Sequence, residues 1–162
     1  MKILCIYHSE TGNTHSVMEE ISRATGAEML RVRDRAGYGK VTMYIRGIPR
    51  ALRGTHAAIE PDAIDLSGYD LVILGSPVWA SRPTPAANAM IQALKNCLGK
   101  KALLVCTSGG GPGETLTLME NHAKERGMEV AGSFHVRFSM RGDRNQEEMA
   151  ALIQAVTKLA EA

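Results

Sequence analysis

Lys2-Ile3-Leu4-Cys5-Ile6-Tyr7-His8 runs directly into Ser9-Glu10-Thr11-Gly12-Asn13-Thr14, and this junction decides how the rest of the chain is read. The apolar run predicts a buried strand. Behind the polar loop, Val17, Met18, Ile21 and Ala24 recur at helical spacing and predict a helix from about Thr14 to Thr25, stopped at Gly26. A strand that turns sharply into a helix leaves the first helical N–H groups unpaired and aimed at one point, where the macrodipole favours negative charge. Gly12 lets the backbone close around an anion, while Ser9, Thr11, Thr14 and the Asn13 amide add uncharged donors. Hydrogen bonds to a charged group contribute about 1.5–3 kcal/mol each, and the dipole about 0.3–1 kcal/mol more. The loop from Ser9 through Glu10 to Thr14 is therefore expected to hold a phosphate monoester without Lys or Arg. The same residue types also build ordinary turns and helix caps, so the wider pattern has to support that reading.

Outward from this junction the chain alternates strand and helix. Glu28 to Arg33 predicts a short alternating strand, Asp70 to Gly75 and Lys101 to Thr107 continuously apolar ones, and Glu129 to Phe138 a fifth with Val130, Gly132, Phe134, Val136 and Phe138 on one face. Helices are expected at Pro85 to Leu98, Glu114 to Arg126 and Asn145 to Ala162. Strands buried on both faces read as unbroken apolar runs, so the first, third and fourth strands are central and the second and fifth are edges. With right-handed crossovers this predicts one α/β domain over residues 1–162, a three-layer sandwich around a five-stranded parallel sheet in the order 2-1-3-4-5. Its switch point lies between the first and third strands. A ligand would bind at the carboxyl ends there, between Ser9–Thr14 and Ser76–Arg82.

Composition narrows the function classes. With 44% hydrophobic and 22% charged residues this is an ordinary globular chain, and no apolar run is long enough to span a bilayer. No signal peptide is expected before the first strand, which makes the cytoplasm the default location. Cys5, Cys97 and Cys106 lack paired metal spacing, and the five histidines are scattered, so neither metal nor disulfide is expected. A net charge of +2, spread along the chain, does not argue for nucleic acid.

Two further loops follow the central strands. Gly75-Ser-Pro-Val-Trp-Ala-Ser-Arg-Pro83 holds the only tryptophan, whose ring either stacks on a planar ligand or lids the core edge. Thr107-Ser-Gly-Gly-Gly-Pro-Gly-Glu114 is either a close approach to a ligand or a long turn. Between the second and third strands lies a long connection, Asp34 to Gly68, with a helix expected near Lys40 to Gly54. Its Tyr44, Ile48, Ala51 and Leu52 form one face, and Lys40, Arg46, Arg50 and Arg53 another.

Over nearly its whole length the chain resembles the flavodoxin family. Ser9, Thr11, Gly12 and Thr14 fit that family's phosphate pattern, and Gly-Ser-Pro-Val-Trp and the Gly-rich loop follow in place. The resemblance implies noncovalent FMN, with its phosphate on Ser9 to Thr14. Pro77, Val78, Trp79, Ala80 and Ser81 would flank the isoalloxazine, and Ser108, Gly109, Gly110, Gly111 and Gly113 would approach its pyrimidine side. A receiver domain, a P-loop and a low-molecular-weight tyrosine phosphatase are each excluded by the residues at their required positions.

No residue presents itself as acid, base or nucleophile, and flavin electron transfer requires none, because the cofactor carries the chemistry. The expected function is a carrier that passes electrons between redox partner proteins. The alternative is a small FMN-dependent NAD(P)H or quinone oxidoreductase on the same fold. The mild basicity departs from the acidic carriers of the family, and the oligomeric state stays open.

Overall fold

The computed structural model describes residues 1–37, 42–54 and 56–162. Nine strands are described: β1 (Ile3–His8), β2 (Glu28–Asp34), β3 (Ile59–Glu60), β4 (Ile64–Asp65), β5 (Leu71–Trp79), β6 (Arg82–Pro83), β7 (Leu94–Lys95), β8 (Lys101–Ser108) and β9 (Glu129–Arg137). The helices are α1 (Asn13–Thr25), α2 (Ile48–Leu52, entered through a π-helical turn at Met43–Gly47), α3 (Pro85–Gln92), α4 (Thr115–Glu125) and α5 (Gln146–Glu161).

The five long strands are parallel and lie in the expected order, β2-β1-β5-β8-β9. The expected count is corrected. The sheet has seven strands, because β3 pairs antiparallel with the end of β2 and β6 folds back on the end of β5. β4 and β7 form a separate two-stranded sheet. Strict alternation along the central strands makes the three layers: Ile3, Cys5, Tyr7, Leu71, Ile73, Leu103 and Val105 face α1 and α5. Leu4, Ile6, Val72, Leu74, Ala102 and Leu104 face α3 and α4.

Three other expectations give way to tertiary pairing. The helix from Pro85 ends at Gln92 instead of Leu98, because Leu94 and Lys95 pair with β4 and Asn96 turns the chain at φ 56°. Leu98, which would end an apolar stripe on the longer helix, is exposed. So is Ala24, since the inward stripe of α1 is Val17, Met18 and Ile21. A bulge opposite Ala102/Leu103 shifts the register of β9, so Val130 packs with the α3–α4 layer while Phe134, Val136 and Phe138 pack with the α1–α5 layer. Of the helix expected near Lys40 to Gly54, Lys40 and the Tyr44 side chain lie outside the described residues; Ala51 is buried and Leu52 is exposed. Among the described residues no helix is long and apolar enough to cross a membrane.

Candidate functional site

The polar loop after β1 turns the chain from strand into α1, where the cradle is expected. Gly12 caps α1 at φ 97°, and a Cβ there would meet nothing within 4 Å, so the backbone is open on its outer side. The N–H groups from Glu10 to Thr14 meet no acceptor among the described residues, and α1 has no side-chain cap. Side chains brace the loop instead. Ser9 Oγ accepts from His15 N at 3.2 Å, and the buried Thr14 and Thr107 hydroxyls meet at 2.8 Å, tying the first helical turn to β8. Across the switch point Gly75 lets α1 sit close to β5, since a Cβ there would fall 2.2 Å from Met18 Cε.

The second loop is more ordered than its sequence suggests. β5 continues past Gly75 to Trp79 and returns through a two-residue turn in which Ala80 (φ 50°) and Ser81 (φ 64°) are both left-handed. Such turns are normally made with Asn and Gly, so this hairpin carries strain of the kind that gathers at ligand clamps. The Gly-rich loop docks on its tip: Glu114 N donates to Ser81 O at 2.8 Å, and a Cβ on Gly113 would stand 2.4 Å from Ser81 Cβ. Gly109, Gly110 and Gly111 stay exposed beside this contact. Ser108 Oγ meets His135 Nε2 at 2.7 Å; burial lowers the pKa of that imidazole, the Glu148 carboxylate pulls it up and Arg137 adds to the lowering.

Trp79 itself is only 6% exposed. It packs on Ala51 and Met43, a Cβ on Gly47 would stand 2.6 Å from its ring, and His8 lies edge-on with centroids 5.8 Å apart. The indole thus braces the hairpin from behind, and what the hairpin presents outward is Ala80 and Ser81.

Sequence reading missed a set of residues around the end of β1. His8 is buried, with Nδ1 2.8 Å from Thr84 Oγ1 and Nε2 3.0 Å from Glu10 Oε2. Thr84 Oγ1 also accepts from Ala87 N as the cap of α3. All three groups are satisfied when the hydroxyl donates to Nδ1 and Nε2–H donates to Glu10. The Glu10 carboxylate is thereby tied back beside the cradle. Arg31 of β2 donates to the Ser9 carbonyl, placing a guanidinium beside a loop expected to work without one. The available signal was the alternation Arg31, Val32, Arg33 at the end of a strand next to β1.

The cradle, the strained hairpin and the glycine loop converge at the switch point of a flavodoxin-like sheet, the geometry of an FMN-binding α/β protein. The sequence matches the model of the NADPH-dependent FMN reductase family over residues 1–143, and the chain belongs to that family. The resemblance to flavodoxins therefore holds for the fold, while the family is this reductase family. Among solved structures, a suspected flavoprotein of Bacteroides eggerthii is 20% identical, with 96% of this chain and 98% of that one covered at a TM-score of 0.76. A flavoprotein of Lactobacillus acidophilus in complex with FMN is 24% identical over 83% of this chain and 92% of that one, at 0.65. Flavodoxin 1 of Bacillus cereus is 18% identical over 99% and 98%, at 0.59. No curated protein matches. FMN is the cofactor of this family, and the unpaired N–H groups at the cradle fit its phosphate.

Proposed function

We propose that the protein is an FMN-dependent oxidoreductase that draws electrons from a reduced nicotinamide nucleotide and passes them to a small acceptor such as a free flavin or a quinone. The observation that supports this over a pure carrier is the reductase-family match, which spans the cradle, the hairpin and the glycine loop together. Bound FMN supplies a ring that accepts a hydride equivalent and gives electrons on. The chain's own residues bind and orient. The N–H groups from Glu10 to Thr14, with Ser9 and Thr11 around them, hold the phosphate. Pro77 to Ser81 border one side of the ring, and Ser108 to Gly113 border the pyrimidine side. The side-chain-free backbone of Gly109 to Gly111 leaves room for a second planar reactant. No acid, base or nucleophile is assigned.

Stopped-flow mixing tests this reading. Holoprotein mixed with NADPH should lose its flavin absorbance rapidly and saturably, without any partner protein, and NADH serves as the specificity control. Slow, unsaturable reduction by both nucleotides would return the protein to the carrier reading, with redox partner proteins as its reactants.

A further inference from the structure

β1 has a crevice on each side of its carboxyl end. The one toward β5 is the switch point. The one toward β2 is a cavity of about 310 Å3 lined by His8, Ser9, Glu10, Arg31, Arg33 and Asp34 among others, and the flavin reading makes no use of it. It opens from the same Ser9–Glu10 backbone that starts the phosphate cradle.

Its polar groups point to one chemistry. Arg31 and Arg33 project from β2 on the same side of the strand, and Arg33 has no ion-pair partner among the described residues. Asp34 ends β2 with its side chain only 2% exposed; Oδ1 accepts from Ala36 N at 2.8 Å. Its Oδ2 has no hydrogen-bond partner, though it forms an ion pair with Arg50 Nη1 at 4.0 Å. A buried carboxylate oxygen of this kind calls for a hydroxyl or N–H donor. In dinucleotide-binding α/β folds an acid about 20 residues beyond the glycine turn, at the end of the second strand, accepts from ribose hydroxyls. Asp34 stands at that place relative to Gly12. Glu10, the other acid in the cavity, is already bonded to His8, and Arg31 donates to the Ser9 carbonyl, which leaves the Arg33 guanidinium as the group that meets an anion.

We propose that this second crevice takes the adenylate half of FAD. The flavin-side phosphate sits in the cradle, the second phosphate crosses Ser9–Glu10 to Arg33, and the adenosine ribose donates to Asp34. FAD would then occupy both crevices flanking β1, and the protein would bind FAD as well as FMN. This rests on the flavin-binding reading above.

Titrating apoprotein with riboflavin, FMN and FAD tests it, followed by the same titrations on Arg33→Gln and Asp34→Asn. FAD is expected to bind within about tenfold of FMN. Each substitution should weaken FAD by five- to tenfold relative to FMN, and ADP should compete with FAD more strongly than with FMN. FMN binding with FAD at least a hundredfold weaker, or equal effects of both substitutions on the two flavins, overturns the inference and leaves the flavin reading standing. Failure of every flavin to bind overturns both. Tight ADP binding without FAD binding assigns the crevice to a free nucleotide, and also overturns it.

Discussion

In the 9–14 loop side chains hold the backbone and the N–H groups stay open; where the 77–83 hairpin meets the 108–114 loop, backbone holds backbone. The side chains of Ser9 and Thr14 at its two ends, and Arg31 from β2, brace the cradle, so its backbone donors remain available to a ligand. Glu114 N–H and Ser81 C=O, by contrast, are spent on each other, and Gly113 is in contact with the hairpin tip. The contrast separates a surface organised to receive an anion from one organised to hold two loops at a set spacing. The Arg82–Glu114 pair across the second junction, 3.3 Å apart with Glu114 largely exposed, adds little to it.

The largest expected effect breaks the backbone junction. Gly113→Ala would place a Cβ within 2.8 Å of three Ser81 atoms at a φ of 54°, and overpacking together with left-handed strain should cost about 2–4 kcal/mol. Urea unfolding measures the loss, and a change under about 0.5 kcal/mol would show that the two loops do not brace one another. Next comes the side-chain brace. Thr14→Val leaves the buried Thr107 hydroxyl without its partner and should lower apoprotein stability by about 1–3 kcal/mol, with FMN affinity falling as the cradle loosens. Loss of FMN affinity with unchanged apoprotein stability would instead make the Thr14 hydroxyl a direct ligand donor.

The smallest effect is that of pH. His135, under the glycine loop, has its pKa lowered from 6.5 chiefly by burial, and His56 is lowered by burial and by His122, whose ring centroid is 6.4 Å away. The unfolded chain then binds more protons than the native one just below pH 6.5. Stability is complete above that value and falls as the pH drops through it toward the lowered native values. Thermal unfolding between pH 7.5 and 5 should show a declining midpoint that His135→Gln and His56→Gln each flatten.

What the sequence made legible was local. Gly12 between hydroxyl residues, behind a buried strand and ahead of an amphipathic helix, could be read because the backbone geometry of an anion cradle constrains its own few residues. Continuous against alternating apolar runs likewise placed β1, β5 and β8 at the centre of the sheet. The hairpin was not legible, because Ala80-Ser81 lacks the Asn-Gly signal of its turn type and Pro77 argues against a strand, yet β8 pairs along β5 as far as Pro77. The early end of α3 depends on pairing with Ile64–Asp65, far away in sequence, and the face switch in β9 depends on a bulge. Arg31 and Arg33 read as the polar side of an edge strand, and Asp34 as the start of the long connection. Only the register that sets Tyr7 beside Arg31 shows them crowding the end of β1.

The burial of Trp79 also gives the protein an optical gauge. As the only indole in 162 residues, it is the dominant intrinsic emitter, and its surroundings are Ala51, Met43 and Gly47 behind and His8 at the edge. A shielded indole emits to the blue of a hydrated one. The colour of its emission therefore reports whether the 43–52 segment is seated on the hairpin, and its intensity reports how near an absorbing ring has come, so one native chromophore reads the wall and the guest of the site separately.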